Sequence, residues 1–323
     1  MIISKTPLRI SFTGGGTDLE SFFNVHGGAV VSTTIDKSIY VVVKRRFDKK
    51  IRAVNSQTEL VDNVQQITHE LIREALLMTG VDHGVDIMIL SDIPSEGTGL
   101  GSSSTLTVGL LNALYAFQGH QAGAKQLAEE ACEIEINRLK KPIGKQDQYI
   151  AAFGGLRFTC FHRDGTVATD RINLLEDTYR SIESNLMLFY TGMTRSASNI
   201  LKSQNDNTAA NLHHLNFLKN QSMELMSHLR KGEADVLGEI MHQGWGIKRQ
   251  LAQGITSPEI DALYHKALEA GAVGGKVAGA GGGGFLMLYV PPGAQEDVRN
   301  ALPLQQMPVR LSHYGSRIIF HME

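Results

Sequence analysis

Chemistry concentrates first in one run of the chain, Pro94-Ser-Glu-Gly97-Thr-Gly99-Leu100-Gly101-Ser102-Ser103-Ser104. Glycine lets a backbone approach a ligand closely. Where such a loop opens a helix, the unsatisfied N–H groups of the first turn point into it, and the helix dipole favours negative charge there. Three glycines with three serines suit a phosphate cradle, and one serine hydroxyl can join a magnesium shell. A plain strand–helix connection with a serine N-cap is the other reading, although it needs only one serine. Carboxylates come next. Glu133 and Glu135 lie on the helical run after the loop, and Asp147 stands in Gly144-Lys145-Gln146-Asp147-Gln148. A magnesium nucleotide site draws most ligands from phosphates and water, so one glutamate and one loop serine suffice. An aspartate beside a lysine can stay ionised and accept a hydroxyl proton. The same Lys-x-Asp spacing is also that of an ordinary surface pair.

A second glycine-dense stretch, residues 279–284, formally matches GxGxxG. It follows a helical run and precedes a strand, so it lacks the dinucleotide-binding context. Residues 271–276 end on Lys276 followed by Val277, with no Ser or Thr for magnesium, and so fail the P-loop pattern. The stretch still permits close backbone approach, as would a simple tight turn. No HExxH occurs, and His213-His214 point in different directions on a helix.

These residues need elements to hold them. Residues 7–12 alternate with Leu8, Ile10 and Phe12 on one face, which predicts a strand. Strands are expected at 28–35, 38–44 and 85–90, with a helix over 67–78 between the last two. Helical periodicity returns at 106–117, 124–139 and 146–153, broken by Pro142. A hairpin over Asp164-Gly165 follows. Beyond it stand a strand at 186–190, helical patterns at 209–230, 234–251 and 258–270, a strand at 285–290, a short helix near 294–302 and two closing strands, 308–313 and 317–321. The pattern is α+β in two domains, 1–175 and 176–323.

The 323 residues are 42% hydrophobic, enough for a substantial core, and 31 basic against 33 acidic residues leave no excess for nucleic acid. Cys132 and Cys160 form neither a disulfide framework nor a metal pattern and are expected to be buried. No signal core and no bilayer-length apolar run is present, so a cytoplasmic protein without membrane or nucleic-acid partners is expected.

Three stretches in order resemble the GHMP kinases: Pro7-Leu-Arg9-Ile-Ser-Phe-Thr-Gly14-Gly15-Gly16-Thr17-Asp18, then Pro94 to Ser104, then Lys276-Val-Ala-Gly279-Ala-Gly281-Gly282-Gly-Gly284. Within that superfamily, Gly-Gly-Gly-Thr-Asp, Pro142-Ile-Gly-Lys-Gln-Asp-Gln148 and Tyr190-Thr-Gly192-Met-Thr-Arg195 resemble the heptose kinases. Those enzymes phosphorylate the anomeric hydroxyl of D-glycero-D-manno-heptose 7-phosphate, for nucleotide-activated heptose and surface polysaccharide. Fucokinases share some of the pattern, and a non-catalytic sugar and nucleotide sensor is the alternative from another class.

The resemblance implies a ribosomal-protein-like N-terminal domain, a ferredoxin-like C-terminal domain and a cleft between them for ATP and a sugar phosphate. By motif position, Gly97, Gly99, Leu100, Gly101 and Ser102–Ser104 would hold the ATP phosphates, and Ser103 with Glu135 the magnesium, Glu133 being the competitor. Asp147 would be the base, with Arg9 and Lys145 steadying charge. Gly14, Gly15, Gly16, Thr17, Asp18, Gly192, Arg195, Gly281 and Gly282 would meet the sugar. A homodimer is compatible with the pattern.

Overall fold

The structure is a computed structural model that describes residues 1–94, 97–193 and 197–322. The chain begins β1 (Ile2–Thr13), α1 (Glu20–His26), β2 (Gly28–Arg45), β3 (Ile51–Val54), β4 (Thr58–Val61), α2 (Glu70–Thr79), β5 (Val85–Ser91) and α3 (Ser102–Phe117). It continues through α4 (Ala124–Cys132), α5 (Gln146–Phe153), β6 (Arg157–Phe161), β7 (Val167–Arg171), α6 (Glu176–Asn185) and β8 (Leu186–Tyr190). Then come α7 (Ala197–Asp206), α8 (Leu212–Arg230), α9 (Leu237–Lys248), α10 (Pro258–Glu269), β9 (Gly274–Val277), β10 (Phe285–Tyr289), α11 (Gln295–Ala301), β11 (Gln305–Met307), β12 (Leu311–Ser312) and β13 (Arg317–His321).

The larger sheet runs β13-β1-β2-β5-β3-β4, and β2 also takes β6 and β12 along its length. It can serve so many neighbours because the two strands expected at 28–35 and 38–44 are one, β2, which runs on through Asp36 and Lys37 although the ladder to β1 skips both, the Asp36 N–H donating instead to the Arg310 carbonyl at 2.8 Å. Leu8, Ile10 and Phe12 of β1 are fully or almost fully buried, as their alternation requires. The register against β2 shifts between Pro7 and Arg9, where proline has no N–H to donate. α3 lies on β1 and β2, and Gly109 lets it approach closely, since a Cβ there would stand 2.9 Å from Thr6 Oγ1.

The smaller sheet, β11-β8-β10-β9, is antiparallel throughout. α8 and α9 pack against β1 and β2 of the larger sheet. The core is continuous there: Leu225 and Leu229 of α8 and Ile240 and Met241 of α9 share one apolar cluster with Ile10 and Val41. Trp245 is buried in a second cluster with Phe189 and Leu288. Cys132 is buried and Cys160 half-buried, both as free thiols.

Some expectations need correction. The proposed unit 176–323 is not self-contained in topology, because β12 and β13 return to the larger sheet and pair with β2 and β1. The hairpin of β3 and β4, and helices α6 and α7, were not expected from periodicity; α6 and α7 are ten residues each and polar on one side. The helical run 124–139 divides into α4 and a single π-helical turn, Glu133–Arg138.

Candidate active site

A cleft of about 810 Å³ opens where the loop before α3, the loop after β1 and the glycine-rich loop after β9 meet. The loop before α3 does not use a serine as its helix cap. The N-cap of α3 is Gly101, in the left-handed region at φ 78°, and it makes no side-chain cap hydrogen bond. No serine hydroxyl is used as the cap, so the first-turn N–H groups remain directed at the cleft. Gly97, Gly99, Gly101, Ser102, Ser103 and Ser104 line the space. Leu100 does not: its side chain is fully buried in the core, while its carbonyl accepts from the Arg9 N–H at 3.1 Å. Ser95 and Glu96 lie outside the described residues.

The π turn sorts the two glutamates. Wider turns rotate successive side chains out of α-helical register, and here Glu135 faces inward with no exposure while Glu133 faces solvent with Asn137 and Arg138. Ser103 Oγ donates to Glu135 Oε1 at 2.6 Å, and Gln148 Nε2 donates to Glu135 Oε2 at 2.8 Å. Burial pushes the Glu135 carboxyl above the usual carboxylate range, against the hydrogen bonds from Ser103, Ser104 and Gln148 and the charge of Lys141. Lys141 itself is tied to Glu70 at 2.8 Å and reaches Ser103 Oγ at 3.4 Å. A serine hydroxyl and a buried carboxylate with no direct ion-pair partner among the described residues form an oxygen-only pair that fits magnesium, which takes few protein ligands beside phosphates and water. Among the described residues no group of three or more His, Cys, Asp or Glu could hold a metal.

Arg9 and Asp147 meet at the centre. Arg9 Nε and Nη2 donate to Asp147 Oδ1 and Oδ2, both at 2.6 Å, and Nη1 donates to the Gly99 carbonyl at 2.6 Å. This two-pronged pairing fixes the carboxylate in direction as well as position. The Asp147 side chain keeps 22% exposure, so it stays open to the cleft. Asp18 lies beside it. Its Oδ1 accepts from the Gly16 N–H at 3.0 Å and its Oδ2 from the Gln146 N–H at 3.4 Å. Gly144 allows this wrapping, since a Cβ there would stand 2.0 Å from Asp18 Oδ2. Burial raises the Asp18 carboxyl, and the charge of Asp147 pushes the same way.

Several expected site residues are placed elsewhere. Lys145, one residue before α5, points away from the cleft. It donates to the Gly165 carbonyl at 3.2 Å, lies 3.6 Å from Glu20, and its Nζ sits 4.9 Å from the centre of the Phe23 ring. Thr17 is fully buried with its hydroxyl consumed by the backbone: it donates to the Gly14 and Ala29 carbonyls and accepts from the Ala29 N–H. Gly14 is packed on β2, with no room for a Cβ against the Ala29 carbonyl. Gly15, Gly16 and Asp18 do line the cleft. Gly281 lines it and Gly282 does not, the latter being turned back to donate to the Ile255 carbonyl. Gly192 stands in open space outside the cleft, and Arg195 lies outside the described residues. The glycine-rich loop after β9 backs the loop before α3, with a Cβ on Gly279 coming within 2.7 Å of the Gly99 backbone.

Sequence reasoning missed four residues at this site. Gln148 holds Glu135. Gln204 of α7 and Lys248 of α9 line the cleft. Lys276 is buried beneath it and donates to the Phe12 carbonyl at 3.3 Å. Burial depresses both lysines. Lys276 falls well below its ordinary value, helped by the charges of Lys248 and Arg9, whereas Lys248 is lowered to about 8, with Asp18 and Asp147 pulling it back up. At about 8, Lys248 stays mostly charged at neutral pH. Gln148 and Lys276 stand at the ends of motif stretches that gave them no role, whereas no motif pointed to Gln204 or Lys248.

Comparison with known proteins fits this geometry. The GHMP kinases N terminal domain matches residues 59–155, and the GHMP kinases C terminal domain matches residues 225–308, together more than half of the chain. The chain is 28% identical to the D-glycero-alpha-D-manno-heptose 7-phosphate kinase of Campylobacter jejuni, with 94% of each chain covered. Its fold is similar to that of a D-glycero-D-manno-heptose 1-phosphate kinase from Bacteroides thetaiotaomicron, with a TM-score of 0.84 at 24% identity over the whole of both chains. It is also similar to a putative sugar kinase from Campylobacter jejuni, with a TM-score of 0.79 at 25% identity over 98% of this chain and 97% of the other. Among the described residues no helix is long and apolar enough to cross a membrane. GHMP kinases use ATP, generally with magnesium. With both of its domains matched and its glycine loops gathered around one cleft, this chain belongs to the GHMP kinase family and is an ATP-dependent sugar kinase.

Proposed function

We propose that the enzyme transfers the terminal phosphoryl group of ATP to the anomeric hydroxyl of D-glycero-D-manno-heptose 7-phosphate. The product would be the 1,7-bisphosphate, a precursor of nucleotide-activated heptose. The observation that carries this reading is the Arg9–Asp147 pair, held between the Gly99 carbonyl on one side and Asp18 on the other. A carboxylate so placed faces both a phosphate loop and a loop suited to sugar hydroxyls. The 28% identity to the Campylobacter jejuni enzyme over 94% of both chains supports the choice of sugar.

In this reading the ATP phosphates lie on the first-turn N–H groups of α3. Ser103 and Glu135 hold magnesium, which neutralises phosphate charge. Asp147 orients the anomeric hydroxyl and takes its proton, while Arg9 holds the carboxylate in place and steadies charge on the phosphoryl group in flight. The acceptor oxygen bonds to phosphorus as the bond to the bridging oxygen of ADP breaks. Phosphoryl transfer asks mainly for positioning and electrostatic stabilisation of this kind. Gly15, Gly16 and Asp18 contact the sugar. Arg195 is assigned to the distal phosphate, from motif position alone.

The test is steady-state ADP release with magnesium and ATP across the heptose 7-phosphate, the unphosphorylated heptose, mannose, fucose and galactose. The heptose 7-phosphate should give the highest kcat/KM. A higher value for fucose or any free hexose would overturn the substrate assignment.

A further inference from the structure

The cleft wall facing Asp18 carries two donors that the reading above leaves unused. α7 turns Ala197, Ser198, Leu201 and Gln204 toward the cleft, positions three and four apart on one helical face. Gln204 is 1% exposed, and its Nε2 has no hydrogen-bond partner among the described residues. Buried amides are rarely left so, because an unpaired buried donor is costly. Lys248 comes from α9, is 6% exposed, and donates to the Gly279 carbonyl at 2.5 Å. An ammonium has three N–H donors, and this is the one hydrogen bond found for the Lys248 ammonium among the described residues.

Both groups converge on the same two glycines. A Cβ on Gly15 would lie 3.2 Å from Lys248 Nζ, and a Cβ on Gly16 would lie 2.0 Å from Gln204 Nε2. Side chains at those positions would bury or displace the two donors. Asp18 stands next in the chain as the facing acceptor, itself lining the cleft. Two donors opposite a carboxylate match neighbouring hydroxyls, since each hydroxyl both donates and accepts.

We propose that Gln204 and Lys248 bind the acceptor, donating to adjacent ring hydroxyl oxygens of the sugar and thereby setting which sugar is phosphorylated. This rests on the reading that Gly15, Gly16 and Asp18 form the acceptor side of the cleft. It adds residues from the second half of the chain, which resemblance had not placed there.

The experiment measures KM for acceptor and for MgATP in Gln204→Leu, Gln204→Glu and Lys248→Met, using whichever sugar of the five-member panel the wild type turns over best. Gln204→Leu should raise acceptor KM by about 10- to 100-fold, as losing a hydrogen bond that a site is built around does. MgATP KM should stay within about twofold, and the preference among sugars should narrow. Lys248→Met should do the same. Gln204→Glu should lose less than Gln204→Leu, because a carboxylate can accept from the hydroxyl that the amide had donated to. If Gln204→Leu does not fold, Gln204→Asn withdraws the same amide by one methylene and is read instead. An unchanged acceptor KM, or a shift confined to MgATP KM, overturns the proposal. A wild type inactive on the heptose 7-phosphate but active on another sugar removes the substrate assignment alone, and the variants are then read on that sugar. A wild type silent on all five removes both.

Discussion

At the phosphate end of the cleft, a single run of the chain supplies nearly everything: residues 97–104 provide three glycines, three serines and the start of α3. At the acceptor end, Arg9, Asp18, Asp147, Gln204 and Lys248 arrive from five separate elements and loops. At the first end Ser103 and Gln148 each donate to one oxygen of Glu135, and the unpartnered buried atom there, among the described residues, is an acceptor, Gln148 Oε1. At the second end it is a donor, Gln204 Nε2, beside the buried cation Lys248. A site that must choose between similar sugars needs donors whose best partner is the right ligand.

The largest expected effect lies where the two ends join. Asp147→Asn keeps the shape of the side chain but cannot take a proton, and kcat should fall by about 10²–10⁴-fold. Direct ATP binding should be unchanged; retained turnover would break the assignment of Asp147. Next comes the phosphate end. Ser103→Ala and Glu135→Gln should each raise the magnesium concentration for half-maximal rate by roughly 10- to 100-fold while leaving acceptor KM alone. If acceptor KM moved instead, the two ends would not be separable as described.

The acceptor end should respond to pH. Lys248 loses its proton near pH 8, so acceptor KM should climb by up to about tenfold per pH unit above that point, while MgATP KM does not follow it. A flat acceptor KM from pH 7 to 9.5 would remove the ammonium from recognition. Stability should run the other way. Lys248 sits at about 8 when folded against 10.5 ordinarily, so the unfolded chain binds more protons between those values and this group makes stability rise with pH across that window. At pH 7 the burden of burying the charge is on the order of 3 kcal/mol. Lys248→Met should therefore raise the denaturation midpoint while weakening acceptor binding; a lower midpoint would mean that the Gly279 hydrogen bond outweighs the buried charge. The smallest effect is expected at Lys145, which faces Gly165 and Glu20. Lys145→Ala should leave kcat/KM within about twofold, since partly exposed pairs contribute little.

The same contrast explains what could be read from sequence. The loop proposed for the phosphates stood out because its residues are contiguous, whereas only the π turn shows that Glu135 faces inward and Glu133 outward, a difference that spacing left open. Arg9 and Asp147 were legible through motifs that stand 138 residues apart and meet in space. Lys145 was misread because neighbours at the start of a helix point to different sides. Thr17 was misread because nothing in a motif tells a hydroxyl spent on Gly14 and Ala29 from one that is free. Gln204 and Lys248 were invisible for the opposite reason: each lies on a helix whose other face is core, and only the packing of α7 and α9 over Gly15 and Gly16 gives them a role. The long strand β2 hid behind Asp36 and Lys37, whose polarity reads as a turn but whose backbone stays extended between the two paired stretches.

The return of β12 and β13 to the larger sheet has a consequence for how the chain is made. β1 is synthesised some 300 residues before its outer neighbour, β13, at residues 317–321. During synthesis β1 and β2 can pair, but the far side of β1 stays an open edge until β13 has emerged. Open edges invite pairing with other chains, and joining segments some 300 residues apart is slow in folding. A chain halted before residue 311 would hold every glycine loop of the cleft and still expose that edge, so it should be found in aggregates or held by chaperones rather than as a working fragment.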